Sequence, residues 1–218
     1  MSVTLQNIFD RVGAKIGDHL NERVPKEFIT HYANEVQHKV MDKATPLRLS
    51  ASLTMSTDTQ SYSLASDFLK LDRAIYNVAT PLILKDFAFL QDLDPDWENS
   101  SGSPVYIAID KDANKMYVWR VPDSTVNTKK IKYWYFVDST DLTTSSPTGT
   151  PQWNDEYHDI LWLGTIAMVL EEDEGDELLA AYWWDRFNKR VLELKNATQF
   201  PERDMIIENE FSDMVTYQ

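Results

Sequence analysis

WNDEYHDILWLGTIAMVLEEDEGDELLAAYWWDRFNKRVLELK, residues 153–195, reads as two helices joined by an acidic turn. Asn154 is placed to cap the first helix, and Asp155, Glu156 and Asp159 sit where the helix dipole favours negative charge. Tyr157, Ile160, Leu161, Gly164, Ala167 and Met168 recur at helical spacing and form an apolar stripe. Gly164 within that stripe predicts the close approach of another backbone. Gly175 breaks the run and Asp176 is placed to cap the second helix. Its buried side is expected to carry Leu178, Ala181, Tyr182, Phe187, Val191 and Leu194, with Arg186, Lys189, Arg190 and Lys195 toward its C-terminal end.

Upstream, residues 4–20 and 25–43 predict two more helices. In the first, Leu5, Ile8, Phe9, Val12 and Ile16 share a face behind an N-cap at Thr4. In the second, Pro25 suits the opening turn, and Phe28, Tyr32, Val36 and Val40 repeat every four residues beside Ile29. The period then changes to two. Leu47, Leu49, Ala51, Leu53 and Met55 alternate with polar residues, which predicts a half-buried strand. Further strands are expected at 61–64, 69–76, 105–109, 115–121 and 131–137, with DKDAN turning a hairpin at 110–114. Residues 82–93 read as a strand start and then a helical turn, stopped by Asp94, Pro95 and Asp96. Residues 138–152 read as a linker or long loop.

The fold class expected is α+β. A helical bundle, made of two N-terminal helices and a C-terminal helical hairpin, carries an inserted antiparallel β domain and an extended C-terminal tail. The boundaries drawn are 1–45 and 143–197 for the helical body, 46–142 for the β-rich insertion and 198–218 for the tail. That tail holds Met205, Ile206, Ile207, Phe211, Met214, Val215 and Tyr217 among five acids and one base. A segment this short cannot bury those side chains alone, so they are expected to dock on the body or on a partner.

Composition restricts function. Lys+Arg number 21 and Asp+Glu 35, a net charge of −14, which disfavours phosphate neutralisation on nucleic acid. There is no cysteine, hence no disulfide framework or thiolate metal site. The N-terminus has no signal-peptide pattern and no window is apolar enough to span a membrane. The chain contains no nucleotide-binding glycine motif, no nucleophile elbow and no HExxH. The histidines, His19, His31, His38 and His158, show no metal-ligand spacing beyond His31 and His38 sharing a helix side. Glu171–Glu177 holds six acids in seven positions and reads as a solvated turn, with a divalent-cation site as the competing reading. Neither a catalytic constellation, a cofactor nor a metal site is expected, and the chain reads as a packing and assembly protein. Trp183 and Trp184, about 100° apart on one helix, are candidates for a subunit contact.

The stretches YSLASDFLKLDRAIYN (62–77), DLDPDWENSSGSPVYIAID (92–110) and 153–191 occur in an order that resembles the head-to-tail adaptor (connector) proteins of tailed bacteriophages. The shared pattern is a Leu-Pro-x-Asp-Phe-Leu-like start, an Asp-Pro-x-Trp followed by Gly-x-Pro, and a helical hairpin opening with Glu-Tyr-His. Here Ala65 and Ser66 stand where the proline is expected. The resemblance implies a virion protein of the neck, made in the host cytoplasm. It would form a ring, usually of twelve copies, under the portal protein. Such a ring extends the channel through which double-stranded DNA passes without specific binding, and it recruits the downstream tail or nozzle protein. The resemblance also implies that the C-terminal tail docks on the portal. The rival reading is a carbohydrate-binding or glycan-cleaving virion module, using Trp119, Tyr133, Trp134, Tyr135 and Phe136 with a carboxylate pair.

Overall fold

A computed structural model describes residues 3–18 and 20–198 and shows an α+β protein of five α-helices and one seven-stranded sheet. His19 and the seven apolar tail residues from Met205 to Tyr217 lie outside the described residues, and so does the expected extended tail. Two compact units divide the chain. Within the described residues one comprises 3–46 with 139–198, and the other is Leu47–Asp138.

The helical unit begins with α1, Leu5–Ile16, capped by a reciprocal pair between Thr4 and Asn7. Gly17, at φ 74°, ends it four residues before the expected limit, because a left-handed C-cap stops the helix there. The Asp18 carboxylate then accepts the backbone N–H groups of Glu22, Arg23 and Val24, at 2.9–3.0 Å, and closes the loop into the next helix. Those bonds, led by the one from Val24, hold its carboxyl below the usual carboxylate range. Helix α2, Lys26–Ala44, buries Ile29, Ala33, Val36 and Val40. Its inward face is turned about one residue from the expected stripe, and Phe28 is 52% exposed.

Helix α4, Asp159–Glu172, does not have a single apolar stripe. Ten of its residues are buried, including Leu163, Ile166, Val169 and Leu170 as well as the expected positions. The cause is topological, for α1, α2 and α5 (Glu177–Thr198) all pack on it. Asn154 caps a 3₁₀ turn at Asp155–Tyr157 ahead of α4 rather than α4 itself. Helix α5 buries Ala180, Trp183, Phe187, Val191 and Leu194. Of the expected face, Leu178 and Tyr182 are instead 87% and 53% exposed.

Residues 139–152 carry no regular structure but are fixed along the helices. The Asn34 side chain both donates to the Leu142 carbonyl and accepts from its N–H. Gln37 donates to the Thr140 carbonyl, and the carbonyls of Pro147 and Gly149 accept the first-turn N–H groups of α1.

In the second unit the strand order is β1-β7-β3-β4-β5-β6-β2. The strands are β1 Arg48–Thr54, β2 Ser61–Ser63, β3 Phe68–Tyr76, β4 Thr80–Leu84, β5 Tyr106–Asp110, β6 Lys115–Trp119 and β7 Lys130–Val137. The sheet is mixed, not antiparallel as expected, because β4 and β5 run parallel. Their connection holds α3, Phe87–Leu93, which supplies the crossover a parallel pair requires. One sheet face encloses a core of Tyr133, Tyr135, Ile131, Met116, Ile107 and their neighbours.

Candidate functional site

No group of three or more His, Asp or Glu side chains suited to hold a metal ion occurs among the described residues. An open depression lined by Leu84, Lys85, Asp86 and Ile109 brings together no set of convergent catalytic groups.

The Glu-Tyr-His segment builds a corner of the helical unit. His158 is buried, its Nδ1 accepts from the Val3 N–H at 3.2 Å, and its Nε2 donates to the Trp153 carbonyl at 2.8 Å. The neutral Nε2–H tautomer satisfies both bonds. Arg190 on α5 reaches back to the same corner. It holds both Asp159 carboxylate oxygens, at 2.9 and 3.0 Å, and the Glu156 carbonyl at 2.9 Å. It also pairs with Glu193, and its guanidinium lies 5.0 Å from the Tyr157 ring centre. The paired Asp159 raises its already high pKa further.

The acidic turn is committed to local structure. Asp176 caps α5 by accepting from the Leu179 N–H, Glu174 pairs with Arg23 at 2.9 Å, and Glu171 accepts the Trp184 indole N–H at 2.8 Å. Burial and Asp173 push the Tyr32 phenol up to about 12. Glu172 and Glu177 remain exposed.

Of the two tryptophans singled out from sequence, Trp183 is 6% exposed and packs edge-on against Trp162, so little of it is left to offer a partner. Trp184 is half-buried, with the Lys39 ammonium 5.4 Å from its ring centre. The outermost apolar side chains of α5 are Leu178, Tyr182 and Leu192. They recur at helical spacing with the Asp185–Lys189 ion pair between them.

The five aromatics of the proposed sugar platform are dispersed. Tyr133 and Tyr135 are in the core, Trp134 and Phe136 are on the opposite sheet face, and Trp119 belongs to a separate cluster. That cluster explains the Asp-Pro-x-Trp motif. Trp97 and Leu90 cover the outer face of β5 and β6, against Ala108, Tyr106, Tyr117 and Trp119. Asp94 fixes the turn by accepting from Ser100, from the Asp96 N–H and from the Trp119 indole. The Ser100 bond leads in holding its carboxyl below the usual range.

Sequence reasoning missed Arg190 as an anchor and missed the cations that surround Trp134. The signal for the second was present in KIKYWYFV, where Lys130, Lys132, Trp134 and Phe136 fall on one face of an alternating strand.

The chain belongs to the SU10 adaptor protein family, whose model matches residues 3–205, in agreement with the phage head-to-tail adaptor that its sequence resembles. No curated protein matches it. No helix among the described residues is long and apolar enough to cross a membrane.

Proposed function

We propose that this chain is a non-enzymatic neck component that assembles as a ring under the portal, extends the DNA channel and recruits the tail. The family match across residues 3–205 carries this reading. The net charge of −14 supports it, because a channel wall of that sign does not retain passing duplex DNA. Portal docking falls to residues 199–218, through Met205, Ile206, Ile207, Phe211, Met214, Val215 and Tyr217, whose apolar surface needs a partner groove. Trp184 and the exposed row of α5 are candidates for contact between copies.

The test is electron microscopy of the full chain mixed with its cognate portal ring, with and without residues 199–218. Truncation after Thr198 keeps the bond from its hydroxyl to the Ala44 carbonyl, so the helical unit should stay folded. A ring stacked on the portal by the full chain, absent with the truncated chain, is the expected result. A full-length protein that ignores the portal refutes the adaptor geometry, and a truncated one that still binds refutes the role of the tail.

A further inference from the structure

The charge of this chain is segregated. Residues 139–218 hold 5 Lys+Arg against 17 Asp+Glu, net −12, whereas residues 47–138 hold 10 against 12, net −2. Within the second unit, cations gather on one sheet face. Register places Lys70 opposite Phe136, Arg73 opposite Trp134, and Lys132 and Lys130 on the same side of β7. Arg48, on β1, is on this face as well, but it is already paired with Asp72 at 2.7 Å. Among the described residues Lys70, Arg73, Lys130 and Lys132 form no ion pair, and all four are exposed.

The face is also aromatic. Arg73 lies 4.2 Å and Lys132 4.8 Å from the Trp134 ring centre, so the half-buried indole is lodged between two cations. Tryptophan and arginine in such rows are the residue types that dominate protein interfaces. The opposite surface exists in the same chain. The α4–α5 turn carries Glu172 and Glu177 exposed, and Leu178 and Tyr182 stand exposed beside it on α5. Acids followed by apolar side chains on one surface match cations around aromatics on the other.

We propose that the cationic, aromatic outer face of β1, β7 and β3 docks on the acidic α4–α5 turn, with Leu178 and Tyr182, of a second copy of this chain. This rests on the assembly of like copies put forward above and names its contact. Two unlike patches on one chain make a heterologous contact, which propagates from copy to copy and closes into a ring when the rotation allows. The exposed Leu178 and Tyr182 beside the acids favour this occupant over duplex DNA, whose phosphate backbone offers no apolar counterpart to Trp134 and Phe136.

The test is sedimentation of the full-length chain with charge-reversed variants, each checked by circular dichroism for an unchanged fold. The wild type should self-associate at about 20 mM salt and dissociate at about 0.5 M, where exposed charges are screened. Lys130→Glu/Lys132→Glu alone, and Glu172→Lys/Glu177→Lys alone, should each weaken association at least tenfold. Mixing the two reversed proteins should restore it, since each then offers the other an opposite patch. A wild type that stays monomeric at low salt overturns the proposal, as does association indifferent to both variants. Loss of association on deleting residues 199–218, with the Glu172 and Glu177 variant unaffected, would make the tail the occupant and overturn it too. Salt-sensitive duplex binding that Lys130→Glu/Lys132→Glu abolishes would assign the face to DNA instead. Rings on the portal that persist with the face reversed refute this contact and leave the ring standing. Absence of any ring refutes both.

Discussion

Gly164→Ala tests the packing of the helical unit at its tightest point. A Cβ at residue 164 would lie 2.5 Å from Val36 Cγ1, 3.0 Å from Val36 Cγ2 and 3.0 Å from Phe187 Cδ2. Carbon atoms in contact prefer about 3.5–4.0 Å, so the added methyl overlaps α2 by roughly 1 Å or more. Val36 and Phe187 are both fully buried and have no room to retreat. Overpacking of this kind costs about 1–3 kcal/mol, and the clash with a β-branched side chain places it at the upper end. Replacing glycine by alanine inside a helix returns about 1 kcal/mol. The net expectation is a loss of about 2 kcal/mol. Val36→Ala alone should also destabilise, by about 2 kcal/mol, through the cavity it leaves. The double variant should be more stable than the sum of the two predicts, by about 1–3 kcal/mol, because the new methyl occupies the space the valine vacates. Urea unfolding followed by circular dichroism and tryptophan fluorescence measures all four proteins. Trp153, Trp162, Trp183 and Trp184 report on the helical unit. Strict additivity, or a Gly164→Ala protein as stable as the wild type, would refute the reasoning.

Arg190→Lys removes the two-pronged grip on Asp159 while keeping the charge, and should lower the urea midpoint by the equivalent of about 1–2 kcal/mol; an unchanged midpoint would show that the corner holds without it. Asp94→Ala unties Ser100, Asp96 and Trp119 together, and should raise amide exchange in residues 94–102 by at least tenfold, as read by mass spectrometry. Burial, and then the hydrogen bond to Asp67, lift the Tyr135 phenol from 10.0 to about 12. The unfolded chain thus loses that proton first, and stability is full below pH 10 and falls as pH rises toward about 12. Tyr135→Phe should flatten that alkaline slope in a series of melting temperatures, and an identical slope would contradict it. At the acid end Asp18, Asp94 and Asp123 all have lowered carboxyl values. Their contribution is present above the ordinary aspartate value of 3.8 and is lost as pH falls through the folded-state values, so Asp18→Asn should reduce the loss of stability on acidification.

The elements most legible in the sequence are those with local chemistry. Gly175 and Asp176 mark the α4–α5 turn, Thr4 caps α1, and DKDAN turns the β5–β6 hairpin, because each signal acts within a few residues. What depends on partners distant in sequence was less legible. Ile160, Leu161, Gly164 and Met168 give one stripe, but only three packed helices explain why Leu163, Ile166 and Val169 are buried too. Gly164 in the stripe signals a close approach, yet what approaches is two side chains, not a backbone. On α5 both the Leu178/Tyr182 row and the Trp183/Phe187 row satisfy helical spacing, and α4 selects the second. The parallel pairing of β4 with β5 has no local signature, and Asp94 and Trp97 revealed themselves only as a motif whose reason is the aromatic cluster they seal. The surfaces offered to partners were the least legible, since an exposed apolar or cationic side chain is defined by what fails to cover it.

The packing of three other helices around α4 has a consequence in time. Helices α1 and α2 emerge from the ribosome first, but the helix they pack on lies beyond residues 47–138. At about 5–20 residues per second those 92 residues take roughly 5–18 s to synthesise. The expectation is that the β unit, continuous in sequence, folds during that interval, while the first helices wait without a core. Force measurements on arrested nascent chains should record one pulling event as residue 138 clears the exit tunnel and a second after α5. A single late event would mean that the two units fold only together. For as long as the wait lasts, the apolar faces of α1 and α2 are open to chaperones, so the yield of folded protein would be set partly by the order in which this chain is made.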